Sequence, residues 1–304
     1  MKILEGDPLR WEPIGGDGLA VTIGVFDGVH RGHQEVLDDL ASHELRRAVL
    51  TFDQHPRAIV DPNHTPSLLS TMSQRKEWFE AAGVDILGIL SFSAVRTMSP
   101  ETFIEHVLVE VLGAQLVAIG MDFRYGAGRA GDVGSLTAMG DRYGFDVDVV
   151  PLLTLSETPI SSSRIRDIIG EGDVRKAAEL LSRPFTMRGS VVPGDGRGKG
   201  IGIPTANLTH APSMALPRLG VYACHVIHRG STYAAVSNVG VRPTFHGQAV
   251  TVEAHLLDVD LDLYGDSIDV AFIERIRDEK KFDGFEELVA QIHADIASVR
   301  RTLS

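Results

Sequence analysis

Two histidines separated by Arg31 and Gly32 close the string Thr22-Ile23-Gly24-Val25-Phe26-Asp27-Gly28-Val29-His30-Arg31-Gly32-His33. An apolar run ends there, glycines allow a tight turn, and a helix is expected to begin just after the second histidine. A strand-to-helix junction of this kind offers free backbone N–H groups and the positive end of a helix, which suits an anion. Imidazoles in such a place can donate hydrogen bonds to phosphate oxygens as charge develops in a transition state, and Gly32 leaves room for a phosphate to approach. Two other readings stay open on the residues alone. His30 and His33 could ligate a metal, although no carboxylate-rich motif accompanies them, or they could be satisfied surface histidines.

A second dense string runs from Gly194 to Leu208, with Arg197 and Lys199 among the glycines. Gly196, Gly198 and Gly200 can expose N–H groups to phosphates, but the register is neither a P-loop nor a dinucleotide-binding fingerprint. A glycine-rich loop alone fits an unliganded hairpin equally well. Pro204-Thr205-Ala206-Asn207 narrows the reading. In an extended chain Thr205 and Asn207 share one face, giving two neutral oxygens suited to Mg²⁺ alongside phosphates.

The first half must position the histidine string, and its pattern is α/β. Leu19–Phe26, Arg47–Phe52, Asp85–Ser91 and Gln115–Gly120 are short apolar runs. Helical stretches alternate with them: Gln34–Glu44, Ser73–Ala82 with Thr71 and Gln74 in capping-box relation, and a helix opened by Ser99-Pro100-Glu101 that runs to about Leu112. Alternation of this kind implies a mostly parallel sheet flanked by helices. Two short helices are expected across 164–181, broken at Gly170–Asp173. After Arg183-Pro184 the pattern changes to β-rich runs, Phe185–Val192, Gly220–Ile227, Ser231–Val239, Val250–Leu257 and Ser267–Ile276. Arg229-Gly230 reads as a hairpin turn, and Phe285–Leu303 as a helix begun by an Asp283…Glu286 capping relation. This half is expected to be an antiparallel β-barrel domain closed by a C-terminal helix. The domains are therefore placed at 1–184 and 185–304.

Composition limits the partners. The chain of 304 residues is longer than most single domains, and 29 basic against 41 acidic residues give a net charge of −12. That balance argues against a nucleic-acid track. The densest basic stretch, Arg188 to Lys199, carries interleaved glycines and suits a small phosphorylated ligand. A single cysteine, Cys224, excludes an intrachain disulfide and a multi-cysteine metal site. The N-terminus lacks the apolar core of a secretory signal, and no apolar run approaches the ~18 residues that span a bilayer. A cytoplasmic location without membrane attachment is expected.

The strings in their order resemble a known family. His-x-Gly-His after a first strand is similar to the nucleotidyltransferase superfamily. Residues 22–33 more narrowly resemble the FAD synthetase module of prokaryotic bifunctional riboflavin kinase/FAD synthetases. Thr51–Pro56, Gly120–Gly126 and Ile160–Arg166 agree with that module, while Gly194–Leu208, Gly220–Ala223, Asn238–Thr244 and Arg277–Phe282 resemble riboflavin kinase. The resemblance covers about residues 19–300. It implies a Rossmann-like N-terminal domain that adenylylates FMN with ATP, and a C-terminal barrel that phosphorylates riboflavin with ATP and Mg²⁺.

It also implies roles. Gly24, Phe26, Asp27, His30, Gly32 and His33 line the first ATP site. Ser162, Ser163 and Arg166 bind phosphates at a helix start. His55, Pro56, Asp122 and Phe123 lie near the flavin or adenine. In the kinase, Gly196, Gly198, Gly200, Thr205 and Asn207 hold ATP and metal, and Glu253 is the base. Arg277 and Phe282 contact flavin, His255 supports its neighbours, and Lys280-Lys281 is a solvated pair. Gln54 and Ile203 depart from the usual proline and phenylalanine, and Ser163 from threonine with its hydroxyl kept. Two rivals are a single-activity nucleotidyltransferase and a flavin-binding protein without turnover. The intact His30, His33, Thr205, Asn207 and Glu253 argue against both.

Overall fold

Leu19–Ile23 and Ile86–Leu90 are buried at every residue. Strands with no solvent face need a sheet covered on both sides. The computed structural model, which describes residues 1–194, 202–244 and 247–304, supplies one. The chain separates into two compact units, Met1–Pro66 with Thr71–Ser162, and Ser67–Ser70 with Ser163–Ser304.

In the first unit, β1 (Lys2–Gly6), β2 (Leu19–Ile23), β3 (Arg46–Phe52), β4 (Ile86–Leu90), β5 (Ala114–Gly120) and β6 (Asp146–Val150) form a parallel sheet in the order β1-β4-β3-β2-β5-β6. Alternate residues feed two cores. Leu19, Val21, Leu50 and Val117 pack with Phe103, Ile104, Val107 and Leu108. Ala20, Val49, Leu87 and Ala118 pack with Val36, Leu37 and Leu40 of α1 (Arg31–Ser42) and with Phe79. The chain walks from β2 to β3 to β4, then returns to place β5 on the other side of β2. Ligands of open parallel sheets bind at such a reversal, at the carboxyl ends of the strands.

Shorter helices complete this unit. α2 (Pro56–Val60) follows β3, and α3 (Met72–Ala81) opens with the Thr71/Gln74 capping box expected from the sequence. α4 (Phe92–Val95) follows β4. At α5 (Pro100–Thr102) the Ser99 side chain accepts from the Thr102 N–H, as its N-cap position implies. The expected ordinary helix then widens into a π-helix over Phe103–Val111, a distinction that apolar spacing over nine residues cannot make. α6 (Val133–Tyr143) lies before β6, and a small hairpin, β7 (Thr154–Leu155) with β8 (Thr158–Pro159), follows it.

Beyond it, α7 (Ser162–Glu171) and α8 (Val174–Leu181) match the two expected short helices. Then come β9 (Phe185–Val192), β10 (Ala206–Leu208), β11 (Gly220–His228), β12 (Ser231–Thr244), β13 (Gly247–Leu256) and β14 (Ser267–Arg277). They close an antiparallel barrel in the order β10-β13-β12-β11-β14-β9. Tyr222, Phe185 and Phe272 fill it, Tyr222 meeting Phe272 edge-on at 5.3 Å. The β11–β12 turn has Arg229 at φ 50° and Gly230 at φ 80°, the two left-handed residues that a tight hairpin needs.

The C-terminal helix, α9 (Phe285–Leu303), lays Ile296, Val299 and Leu303 against Ala223, Val236 and Ile276 on the barrel's outside. Its expected cap is corrected. Gly284 is the N-cap with no side-chain bond, and Glu287, rather than Glu286, takes the Asp283 backbone N–H and the Lys280 ammonium. One turn of helix places residue 287, not 286, over both groups.

A buried ion pair clamps this helix. Arg277 donates Nε to Asp295 Oδ1 at 2.9 Å and Nη2 to Oδ2 at 2.7 Å, with the Asp295 side chain 5% exposed and Arg277 22%. Asp295→Ala should lower the stability of the second unit by about 2 kcal/mol, less than the ~3–5 kcal/mol of a fully buried pair because Arg277 keeps contact with water. Pulsed thiol labelling in urea measures this directly, since Cys224, the sole cysteine, is fully buried in β11. An unchanged labelling midpoint would contradict the clamp.

Candidate functional site

Residues 24–33 occupy the turn at the carboxyl end of β2, next to the reversal of strand order. Phe26 (φ 51°), Gly28 (φ 80°) and Val29 (φ 38°) are all left-handed. For Phe26 and Val29 this costs on the order of 1–3 kcal/mol each and persists only where surrounding contacts hold it. Four bonds do so. The Val25 carbonyl accepts from Thr51 Oγ1 (3.1 Å) and Arg75 Nη1 (3.0 Å), the Asp27 carbonyl from Ser162 Oγ (3.0 Å), and the Val29 carbonyl from Gln34 Nε2 (2.9 Å). Phe26 is pinned edge-on between Phe79 and His33.

The expected order of histidines and helix is corrected. α1 begins at Arg31 with His30 as its N-cap, so His33 lies inside the first turn, where its N–H donates to the His30 carbonyl at 2.7 Å. Gly32, a poor helix former, hides that turn from a reading by periodicity. Three residues apart on one helical turn, the two rings stack with centroids 3.6 Å apart. A Cβ on Gly32 would meet the His30 ring at 3.4 Å, ordinary van der Waals contact. His30 and Asp27 are buried, His33 half-buried. Among the described residues the one group of three His, Cys, Asp or Glu side chains spaced to hold a metal is Asp39, His43 and Asp148, and neither His30 nor His33 is in it.

Neighbouring strand ends add their loops to the same edge of the sheet. After β3, His55 caps α2 by accepting the Arg57 N–H, with Pro56 in the first turn. After β5, Asp122 sits over Gly120, and Phe123 stacks on Tyr125 at 5.6 Å. Gly24 lies under the Phe26 ring. Ser163 and Arg166 belong to the second unit, where Arg166 Nε donates to the Ser67 carbonyl and Nη1 reaches Ser163 Oγ at 3.5 Å. Sequence reasoning missed Arg75. Nothing in its helical string marks it, because its burial is decided by the turn above it.

On the barrel, strand alternation sends Val252, Ala254 and Leu256 inward and leaves Glu253 half-buried on the outer face. Glu253 pairs in register with Asn207 on one side and Asn238 on the other. Thr205 Oγ1 donates to Glu253 Oε2 at 3.4 Å, so Thr205, Asn207 and Glu253 do come together. The ring of His255 bonds the Pro204 carbonyl at 2.7 Å, steadying the chain just before Thr205. A Cβ on Gly194 would stand 2.2 Å from Asn207 Nδ2, and one on Gly240 would strike Glu279 and Asn238. Asn238 and Glu279 therefore border this site, each within a string singled out from the sequence. Gly196, Gly198 and Gly200 lie outside the described residues. Arg277 is committed to Asp295, and Phe282 carries Arg277 and Lys280 over its ring. Lys280, paired with Glu287, is not merely solvated.

Residues 16–164 match the family model for FAD synthetase and residues 181–303 that for riboflavin kinase. The bifunctional riboflavin kinase/FMN adenylyltransferase of Escherichia coli (strain K12) is 36% identical over 93% of this chain and 92% of its own. The chain belongs to that family. The Bacillus subtilis (strain 168) enzyme of the same name is 35% identical over 90% of this chain and 89% of its own. A Streptococcus pneumoniae crystal structure titled a macrolide-efflux protein is 30% identical, with a TM-score of 0.89 over 99% of both chains. Among the described residues no helix here is long and apolar enough to cross a membrane. As a member of the family the protein is an enzyme of flavin-cofactor biosynthesis that uses ATP.

The contact at Gly194 can be tested. Gly194→Ala must displace Asn207, and riboflavin phosphorylation should fall by about tenfold or more, with FMN adenylylation unchanged, since misplacement near 1 Å carries penalties of that size. Unchanged kinase turnover would remove Asn207 from the site.

Proposed function

We propose that residues 1–184 transfer the adenylyl group of ATP to FMN and residues 185–304 phosphorylate riboflavin, each at the site described for its half. The observation that carries the reading is the pairing of two separate built sites, a clamped strand-to-helix turn and a Thr205–Glu253 contact on rigid strands. In the first reaction an FMN phosphate oxygen attacks the α-phosphorus of ATP and the bond to pyrophosphate breaks. A phosphate is already anionic near neutral pH, so catalysis lies in positioning and charge stabilisation. His30 and His33 donate to phosphate oxygens at the α1 N-terminus. Ser162 binds a further phosphate oxygen, and His55, Pro56, Asp122 and Phe123 border the flavin and adenine.

In the second reaction the riboflavin 5′-hydroxyl oxygen attacks the γ-phosphorus, ADP leaves, and Glu253 accepts the hydroxyl proton. Its place between two strand neighbours orients the carboxylate before the substrate arrives. Thr205 and Asn207 present neutral oxygens beside that carboxylate, a donor set that fits a hard oxygen-loving cation. These residues would hold Mg²⁺, which when bound would neutralise charge on the ATP phosphates. Gly196, Gly198 and Gly200 would contact the same phosphates, and Arg277 and Phe282 the flavin. The acidic balance and the single reduced cysteine support a cytoplasmic enzyme of small substrates without nucleic-acid partners.

Product analysis separates the halves. Glu253→Gln should cut ADP release from riboflavin and ATP by about a hundredfold and leave pyrophosphate release from FMN and ATP intact. His30→Ala with His33→Ala should do the reverse by a similar factor. Equal loss of both products in either variant would overturn the two-site assignment.

A further inference from the structure

Arg75 is an unusual residue to find in the interior. It lies on α3, four residues before Phe79, and is 5% exposed. A buried guanidinium is costly unless its donors and charge are used. Two uses are visible. Nη1 donates to the Val25 carbonyl at 3.0 Å, and the Asp27 carboxylate, 1% exposed, lies close enough to favour the charged guanidinium against the burial that opposes it. Nε has no partner. The arrangement therefore leaves a desolvated donor in place to secure one carbonyl and one charge.

Both belong to the turn that presents His30. Val25 precedes Phe26, the first left-handed residue, and Asp27 follows it. Thr51 Oγ1 already bonds the same carbonyl. If α3 merely had to be tied to the turn, the packing of Phe79 on Phe26 would serve without a buried charge. We propose that Arg75 is a positioning residue for adenylyl transfer, holding the Val25 carbonyl and setting a positive charge beside Asp27 so that the strained turn keeps His30 and His33 aimed at the phosphates. It touches no reacting atom and acts through the turn. The inference rests on the adenylyltransferase reading of this site.

The test uses the full chain with Arg75→Met, which keeps bulk and loses charge and donors, and Arg75→Lys, which keeps the charge and one donor. Arg75→Met should lower kcat for FAD formation by about tenfold or more while KM for ATP changes less than about threefold, the pattern of a contact that matters only in the transition state. Arg75→Lys should recover most of that loss, and riboflavin phosphorylation should be unaffected in both. Trp11 and Trp78, the two tryptophans, both lie in the first unit, so their fluorescence reports its folding. Should Arg75→Met unfold that unit, a double-mutant cycle of Thr51→Val with Arg75→Lys on kcat replaces it. Coupling through the shared carbonyl is expected, and additivity overturns the proposal. Wild-type kcat in a folded Arg75→Met, or a loss that Arg75→Lys does not recover, also overturns it. A wild-type chain that makes no FAD would instead overturn the underlying reading.

Discussion

A chain whose acidic residues outnumber its basic ones by twelve has to attract ATP, itself a polyanion. Long-range field works against the ligand, so attraction must be generated within a few ångströms of the phosphates. Backbone N–H groups do this without adding net charge, provided the chain is bent to expose them together. The turn after β2 is the bend proposed for this role. Phe26, Gly28 and Val29 take left-handed conformations, and donors from β3, α3, α1 and Ser162 fix its carbonyls. With its carbonyls engaged on the protein side, the stacked imidazoles and the α1 N-terminus are held in one arrangement. Strain is concentrated where alignment counts, and the two cores of the sheet supply the stability that tolerates it.

The barrel solves the same problem differently. Alternation along β13 puts Val252 and Ala254 in the interior and Glu253 outside, so a carboxylate is fixed by the ladder that builds the core. Adenylyl transfer needs no general base because its nucleophile is already an anion, whereas phosphorylation of a hydroxyl does. On the proposed assignment, that chemical difference is written in the side chains. Imidazoles and helix N–H groups gather at one site, and a carboxylate with neutral oxygens at the other. The family membership of the chain, covered almost end to end by relatives that carry both names, agrees with that division of labour.

Much of this was readable from local pattern, because the decisive features are local. The capping box at Thr71 and Gln74, the Arg229-Gly230 turn and the largely apolar, fully buried β2 and β4 each follow from a few adjacent residues. What escaped depends on distant partners. α6 drew no expectation, since Gly134 and Gly140 weaken its helical pattern, yet a Cβ at residue 140 would stand 2.5 Å from the Phe145 carbonyl, so the close return of the chain requires glycine. β1 and β6 are edge strands with exposed positions and show no continuous apolar run. In the site, the histidines stood out by spacing, but the start of α1 between them did not. Arg75 was silent altogether, since a guanidinium on a polar helix reads as solvated until the turn it supports is seen. Its burial is a property of the packed unit.

The most direct test of two activities in one chain is to follow the flavins themselves. Purified protein is incubated with riboflavin, ATP and Mg²⁺, and the flavins are separated by chromatography over time. FMN should appear first and FAD after it, at the expense of FMN. FMN that accumulates with no FAD, or riboflavin that stays unconverted, would contradict the assignment of adenylyl transfer to the first half and phosphorylation to the second.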